Sequence, residues 1–365
     1  MEYHSIFTVV LIIWFSVSIP CSRVAAQTSK NRKSSVSAIL VFGDSTVDSG
    51  NNNYLNTLMK TNFPPYGMDF PNHIPTGRCS NGKLATDFMA SYMGIKEYVP
   101  PYLNKSLTID ELKTGVSFAS GGSGFDPLTA QLMNVISMQN QLEYFKEYKA
   151  RLQKVMGKEQ MENHIYKAVF YISCGTNDFG ATYFNMRHGQ YSIEDYQKFI
   201  VWNTRTFLQG LLDHGARKIG IAGLPPIGCL PNIITMHSSY NDPTFLQRPC
   251  IESYSIIAKD YNQMLQNELK MVQKNLPANS GMVIVYSDIY EPILSMIRNH
   301  EKYGFEEWRR GCCGTGLLEA SYLCNINSFV CSDTSKFIFW DSIHPTEKVY
   351  YLLFLAFRNA IDTFT

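Results

Sequence analysis

The sequence predicts an α/β fold, a three-layer α/β/α sandwich around a central parallel sheet of about five strands. Two patterns carry that expectation. Five short apolar or β-branched runs punctuate the chain, each the length of a buried strand, and amphipathic helical stripes separate the later ones. Strands that alternate with helices pair in parallel and bury both sheet faces under the crossovers. With 365 residues, 45% of them hydrophobic, the chain can fill a large core, and no repeat period or low-complexity tract divides it.

In chain order the runs are residues 37–42, 116–119, 168–173, 218–222 and 282–286. The first helical stripe sets Leu142, Phe145, Tyr148, Leu152 and Val155 on one face by three-and-four spacing. A second helix starts at Ser192, with Asp195 as its capping-box partner, and carries Tyr196, Phe199, Ile200, Phe207 and Leu211 inward. A third runs from about Tyr254 through Ile257, Tyr261 and Leu265 to Val272. The last follows Pro345, a residue suited to a helix's first turn, and contains Val349, Leu352, Leu353, Phe357 and Ile361. These stripes read as core rather than as a cofactor site, and no cofactor is expected.

A net charge of +1 gives no bias toward nucleic acid or anionic membranes. Residues 6–20 are apolar but too short to span a bilayer comfortably, and Val24-Ala25-Ala26 offers the small residues a signal peptidase reads. Residues 1–26 are therefore read as a cleaved secretory signal, although Glu2 and His4 stand where Lys or Arg is usual. Residues 27–36 read as a flexible lead-in to a single domain, 27–365. Of the 9 cysteines in the chain, Cys21 leaves with the signal, and the even remainder favours disulfides in an exported protein. Their pairing stays open, and Cys174, inside an apolar run, also reads as a buried free thiol. Zinc at Cys312-Cys313, Cys324 and Cys331 is the weaker idea, since the spacing is wrong and no histidine is near, so no metal is expected. Asn104-Lys105-Ser106 is a sequon on a polar stretch, which makes Asn104 the candidate glycan site.

Chemistry falls where a parallel sheet binds ligands, just past the carboxyl ends of its strands. Gly43-Asp44-Ser45 follows the first run, Ser120-Gly121-Gly122-Ser123-Gly124 the second and Gly175-Thr176-Asn177-Asp178 the third. Near the C-terminus, Asp341-Ser342-Ile343-His344-Pro345 supplies a carboxylate and an imidazole. A serine hydroxyl needs a base to become a nucleophile, and the base needs an acid to fix its tautomer. Ser45, His344 and Asp341 match these three roles. The oxyanion formed by attack on an acyl carbon needs fixed donors, for which the candidates are the Ser45 amide, the Gly122 amide and the Asn177 side chain. Gly122 is preferred to Gly121. Asp44 and Asp48 read as turn residues, Asn51-Asn52-Asn53 as a tight polar turn, and Asp178 as a partner of a neighbouring loop. The long stretches 54–112, 231–250 and 290–339 read as the substrate rim.

On these blocks, residues 42–53, 115–125, 175–179 and 341–345, the chain resembles the GDSL esterases/lipases of the SGNH hydrolase superfamily, in the plant extracellular lipase-like group. The Cys312-Cys313-Gly314-Thr315-Gly316 segment adds to that resemblance, while Thr46 replaces the leucine of the family's name. The resemblance implies a flavodoxin-like sandwich, no metal, the triad Ser45, Asp341 and His344, and the oxyanion donors Ser45, Gly122 and Asn177. It implies a secreted serine esterase acting on acyl esters of lipids, small molecules or glycans. A polysaccharide acetylesterase or an acyltransferase would use the same triad, and a binding protein without turnover could share the scaffold.

Overall fold

The computed structural model describes residues 36–239, 241, 243–275 and 281–365, which belong to one compact unit. The signal expected at 1–26 and the lead-in at 27–36 lie outside the described residues, save Val36, which is buried in the core.

Four strands form the sheet: β1 (Ile39–Gly43), β2 (Val169–Ser173), β3 (Lys218–Ala222) and β4 (Val283–Ser287), all parallel and in the order β1-β2-β3-β4. The fifth expected strand, residues 116–119, lies along the free edge of β1 without becoming a regular strand. Val41 donates to the Val116 carbonyl at 3.0 Å and accepts from Phe118 at 2.7 Å, but the amide of Ser117 between them turns to Pro100 at 2.9 Å. Ser117 bridges Val41 on one side and Pro101 on the other, and the pairing goes no further along β1 because the Gly43 amide goes to Gln141 Oε1 instead.

Among the four regular strands the order never reverses, so the right-handed crossovers that join them return on the same side of the sheet. The three crossover helices α2 (Met138–Met156), α3 (Ile193–Asp213) and α4 (Glu252–Lys274) accordingly form one layer. The other face is covered from the two ends of the chain, by α1 (Ala85–Tyr92), α5 (Tyr290–Arg298) and α6 (Glu347–Asp362). Most of the expected stripes point inward, but Val155 is exposed at the last turn of α2. Thr346 takes the N-cap position of α6, so Pro345 stands just before the helix rather than in its first turn. Under α2 and α3, Phe42 is the centre of an aromatic group, stacked on Phe118 at 4.9 Å and edge-on to Phe207 and Phe145 at 5.6 and 5.9 Å.

Beside the sheet, β5 (Glu307–Gly311) and β6 (Phe337–Phe339) pair in a separate lobe with its own small core of Tyr66, Trp340, Cys312, Cys313 and Cys324. Two disulfides, Cys312–Cys331 and Cys313–Cys324, lace that lobe, and Cys229–Cys250 ties the start of α4 to the loop after β3. The four sulfurs considered for zinc are thus joined in pairs. Cys79 and Cys174 are buried free thiols.

Phe42→Ala removes the centre of the aromatic group and leaves a cavity under α2. The expected loss is about 3–5 kcal/mol of unfolding free energy, read from urea denaturation.

Candidate active site

Gly43, the last residue of β1, brings the chain across the end of β2. Its φ is +136°, and a Cβ there would stand 1.8 Å from the Ser173 carbonyl oxygen, so only glycine fits. The Gln141 side chain of α2 then acts as a substitute strand neighbour, donating to the Gly43 carbonyl at 2.9 Å and accepting its amide at 2.8 Å. Ser45 follows two residues later at the mouth of the turn.

The sheet edge gathers residues that the sequence keeps far apart. His344 Nε2 is 2.7 Å from Ser45 Oγ, across a separation of 299 residues. On the other side of the ring, His344 Nδ1 is 2.8 Å from Asp341 Oδ2. A carboxylate only accepts, so Nδ1 carries the proton and Nε2 is free to accept from the serine hydroxyl. Asp341 Oδ1 also takes the amides of Ile343 and His344 at 2.9 and 2.8 Å, which folds acid and base into one turn. Asp341 has no exposed surface, and Ser45 and His344 are 8% and 6% exposed. The hydroxyl and the imidazole are therefore nearly dry but not wholly sealed from solvent.

The amides expected to hold an oxyanion can be compared with their neighbours by asking which of them already have an acceptor. Asp44, Thr46, Val47 and Asp48 all donate to protein oxygens, but among the described residues the Ser45 amide has no acceptor. In the glycine loop the Gly121 amide is taken by Asp48 Oδ2 at 3.0 Å, whereas the Gly122 amide has none among the described residues. Gly122 has φ +89°, a left-handed turn that moves its amide out of line with its neighbour's. Asn177 Nδ2 gives one hydrogen to the Ser123 carbonyl at 2.9 Å, which fixes the amide group and leaves its second hydrogen unclaimed. Two free backbone amides and half a side-chain amide thus lie at the same strand ends as the Ser45 hydroxyl.

The acidic neighbours serve the turns. Asp44 accepts from the Thr46 amide at 3.0 Å and hydroxyl at 2.7 Å, and that hydroxyl also meets Ser173 Oγ at 2.8 Å. Thr46 therefore cross-links the nucleophile turn to β2, which no leucine can do. Asp48 accepts from Gly50 and Asn51 as well as Gly121. Asp178 accepts from Phe125, Asp126 and Thr129, tying the end of the glycine loop to the segment that carries Asn177. The Asn51-Asn52-Asn53 turn is more than a turn. Asn51 holds the carbonyls of Ser117 and Ala119, and Asn52 holds that of Gly121 and pairs with Ser120 Oγ.

An apolar slot opens beside Ser45 and runs between the sheet and the helices of the second face, lined by Val47, Ala85, Tyr171, Ile293, Leu353 and Phe357. Residues of the expected rim, Ala85 and Ile293, thus line an interior wall. Sequence reasoning missed Gln141, Thr46, Tyr66 and the slot. Gln141 had a visible signal, since it shares the buried face of Phe145, Tyr148 and Leu152 and is the polar exception there. Tyr66, whose hydroxyl meets Asp341 Oδ2 at 2.7 Å, had none.

Burial pushes Asp44 and Asp48 up from 3.8 to about 6 and Asp178 up to about 7. An unfolded Asp titrates near 4, so between about pH 4 and 7 the folded chain binds protons that the unfolded chain does not. These groups consequently add stability as the pH falls through that window, and the contribution is lost as it rises. Wild type should have its greatest melting-temperature advantage over Asp178→Asn at pH 5 and its smallest at pH 8. Calorimetric scans at the two pH values check this, and the opposite trend would contradict the direction of the shift.

Known proteins resemble this chain over most of its length. The model of the family described as GDSL-like Lipase/Acylhydrolase matches residues 39–357. A GDSL esterase/lipase of Arabidopsis thaliana is 54% identical over 340 residues, covering 93% of this chain and 90% of its own. A second from the same plant is 41% identical over 358 residues, covering 98% of this chain and 97% of its own. A third is 43% identical over 341 residues, covering 93% and 94%. With the matched region running from β1 into α6, the chain belongs to the GDSL lipase/acylhydrolase family of carboxylic ester hydrolases.

Proposed function

We propose that this protein is a secreted serine esterase that hydrolyses acyl esters through an acyl-serine intermediate. The unbroken hydrogen-bond chain from Ser45 through His344 to Asp341 carries the reading. His344 Nε2 takes the Ser45 proton as Oγ bonds to the acyl carbon, and Asp341 stabilises the imidazolium. The negative oxygen accepts from the amides of Ser45 and Gly122 and from Asn177 Nδ2. As the tetrahedral species collapses, the ester C–O bond breaks and His344 returns the proton to the departing alcohol. Water then attacks the acyl-serine with His344 again as base, and the acid leaves as Ser45 regains its proton.

The apolar lining of the slot beside Ser45 supports the acyl chain of a lipid ester as the group it receives. Acetylated polysaccharide is the second choice for that reason. An alcohol in place of water would make the same site an acyltransferase. Three disulfides fit an oxidising compartment, in keeping with residues 1–26 as a secretory signal. Among the described residues no helix is long and apolar enough to cross a membrane. Asn104 lies in a partly exposed turn, its Oδ1 accepting from the Ser106 amide and hydroxyl, and is the proposed glycan site.

A panel of short and long acyl esters, phospholipids and acetylated glycans, assayed with and without alcohol acceptors, tests the substrate class. Ser45→Ala should lower turnover of every ester by roughly 10⁴–10⁶-fold, and full retention of activity would end the proposal. Asn177→Ala should lower kcat by roughly 10²–10³-fold with little change in KM, because its free hydrogen acts chiefly in the transition state. A change in KM alone would move Asn177 to substrate binding.

A further inference from the structure

Asp341 must keep its charge without any solvent, so every donor it has matters. Oδ1 holds the two backbone amides of its own turn. Oδ2 faces the imidazole at 2.8 Å and the Tyr66 hydroxyl at 2.7 Å. The hydroxyl's direction is set from behind, since the Ser321 amide donates to it at 2.8 Å and so turns its proton toward Asp341. Burial and then the charge on Asp341 push the Tyr66 phenol well above its ordinary range, which keeps that proton in place.

Ser321 is itself held under constraint. It has φ +52°, an unusual conformation for a residue with a side chain, and its hydroxyl reaches the carbonyls of Leu58 and Lys60 at 3.0 and 2.9 Å. The loop that bears it is closed by the Cys313–Cys324 disulfide, with a sequence separation of 11. The Tyr66 ring packs edge-on to Phe63 and Trp340, both at 6.0 Å. Packing uses the ring alone; the hydroxyl's partners are the acid and the disulfide-closed loop.

We infer that Tyr66 is the positioning residue of the triad acid: its hydroxyl fixes the Asp341 carboxylate in the orientation that aligns His344 with Ser45. The inference rests on the acyl-serine reading and extends it to a fourth side chain. Tyr66→Phe keeps the ring and should lower kcat roughly 10- to 100-fold, the worth of one hydrogen bond to a charged group, with KM within about twofold. Ser45 should still be labelled to completion by an active-site phosphonate. In an Asp341→Asn background the same Tyr66→Phe change should cost nothing further, because the residue acts through the carboxylate. Equal losses in both backgrounds, or unchanged kcat in the folded single variant, would overturn the inference. Should Tyr66→Phe not fold, 3-fluorotyrosine at position 66 keeps ring and hydroxyl while strengthening the donor. It should alter kcat in the wild-type background and not beside Asp341→Asn, and no difference between the two would count against the role. Failure of the acyl-serine reading looks different, with the phosphonate missing Ser45 and Ser45→Ala remaining active.

Discussion

The hydrogen bond of 2.7 Å between Ser45 Oγ and His344 Nε2 joins the first strand to the turn before the last helix. A contact between chain segments so distant works only if both ends are rigid, since an error of about 1 Å in a reacting geometry can cost roughly a hundredfold in rate. Much of the unusual local structure is what holds those two ends. Their supports are of different kinds.

The nucleophile end is built on the sheet, and side chains hold its backbone. Gln141 completes the hydrogen bonding of Gly43, Thr46 links the turn to Ser173, and Asp48 spans from the Asn51 turn to the glycine loop. Each of these supports buries polar groups, and for the carboxylates that burial is unfavourable enough to raise Asp44 and Asp48 toward neutrality. The arrangement persists because the amides they hold would otherwise be buried without partners. The same carboxylates determine which amides of the turn and the glycine loop already have an acceptor. Asp48 claims the Gly121 amide and leaves that of Gly122, beside it, without an acceptor among the described residues.

Legibility in the sequence followed the range of each interaction. β1 to β4 were visible because a buried parallel strand is an apolar run wherever it pairs, and α2, α3, α4 and α6 because their stripes repeat locally, whereas α1 and α5 fell in stretches read as the substrate rim. Residues 116–119 had the composition of a fifth strand, but whether an edge run forms a ladder depends on what lies beside it, and here the Gly43 amide that would extend the pairing is taken by Gln141. Ser45, Asn177 and the Asp341-to-His344 turn could be read because each follows or precedes a regular element in a short block. Tyr66 and Ser321 could not. Their partners lie 275 and 255 residues away along the chain, and neither residue type nor spacing marks a tyrosine whose hydroxyl will meet a distant carboxylate.

The Asp341 end stands outside the sheet, on the small lobe around β5 and β6, and this explains why two of the three disulfides are there. A core of five buried residues cannot offset the entropy of ordering the long, irregular segment that surrounds it. Closing loops with sequence separations of 19 and 11 residues restricts the unfolded chain instead, each by about 3 kcal/mol in the chain-entropy estimate. The sheet and its helices carry one disulfide, Cys229–Cys250 between the loop after β3 and the start of α4, while Cys174, beside β2, stays a free thiol within the main core. Strand β6 leads directly into Trp340 and Asp341, and the amides of Cys312 and Cys313 donate to the carbonyls of Phe339 and Trp340 at 3.1 and 2.9 Å. The two disulfides therefore join the backbone that presents the acid, so the order of the imidazole depends on covalent closure on one side of the site and on sheet packing on the other.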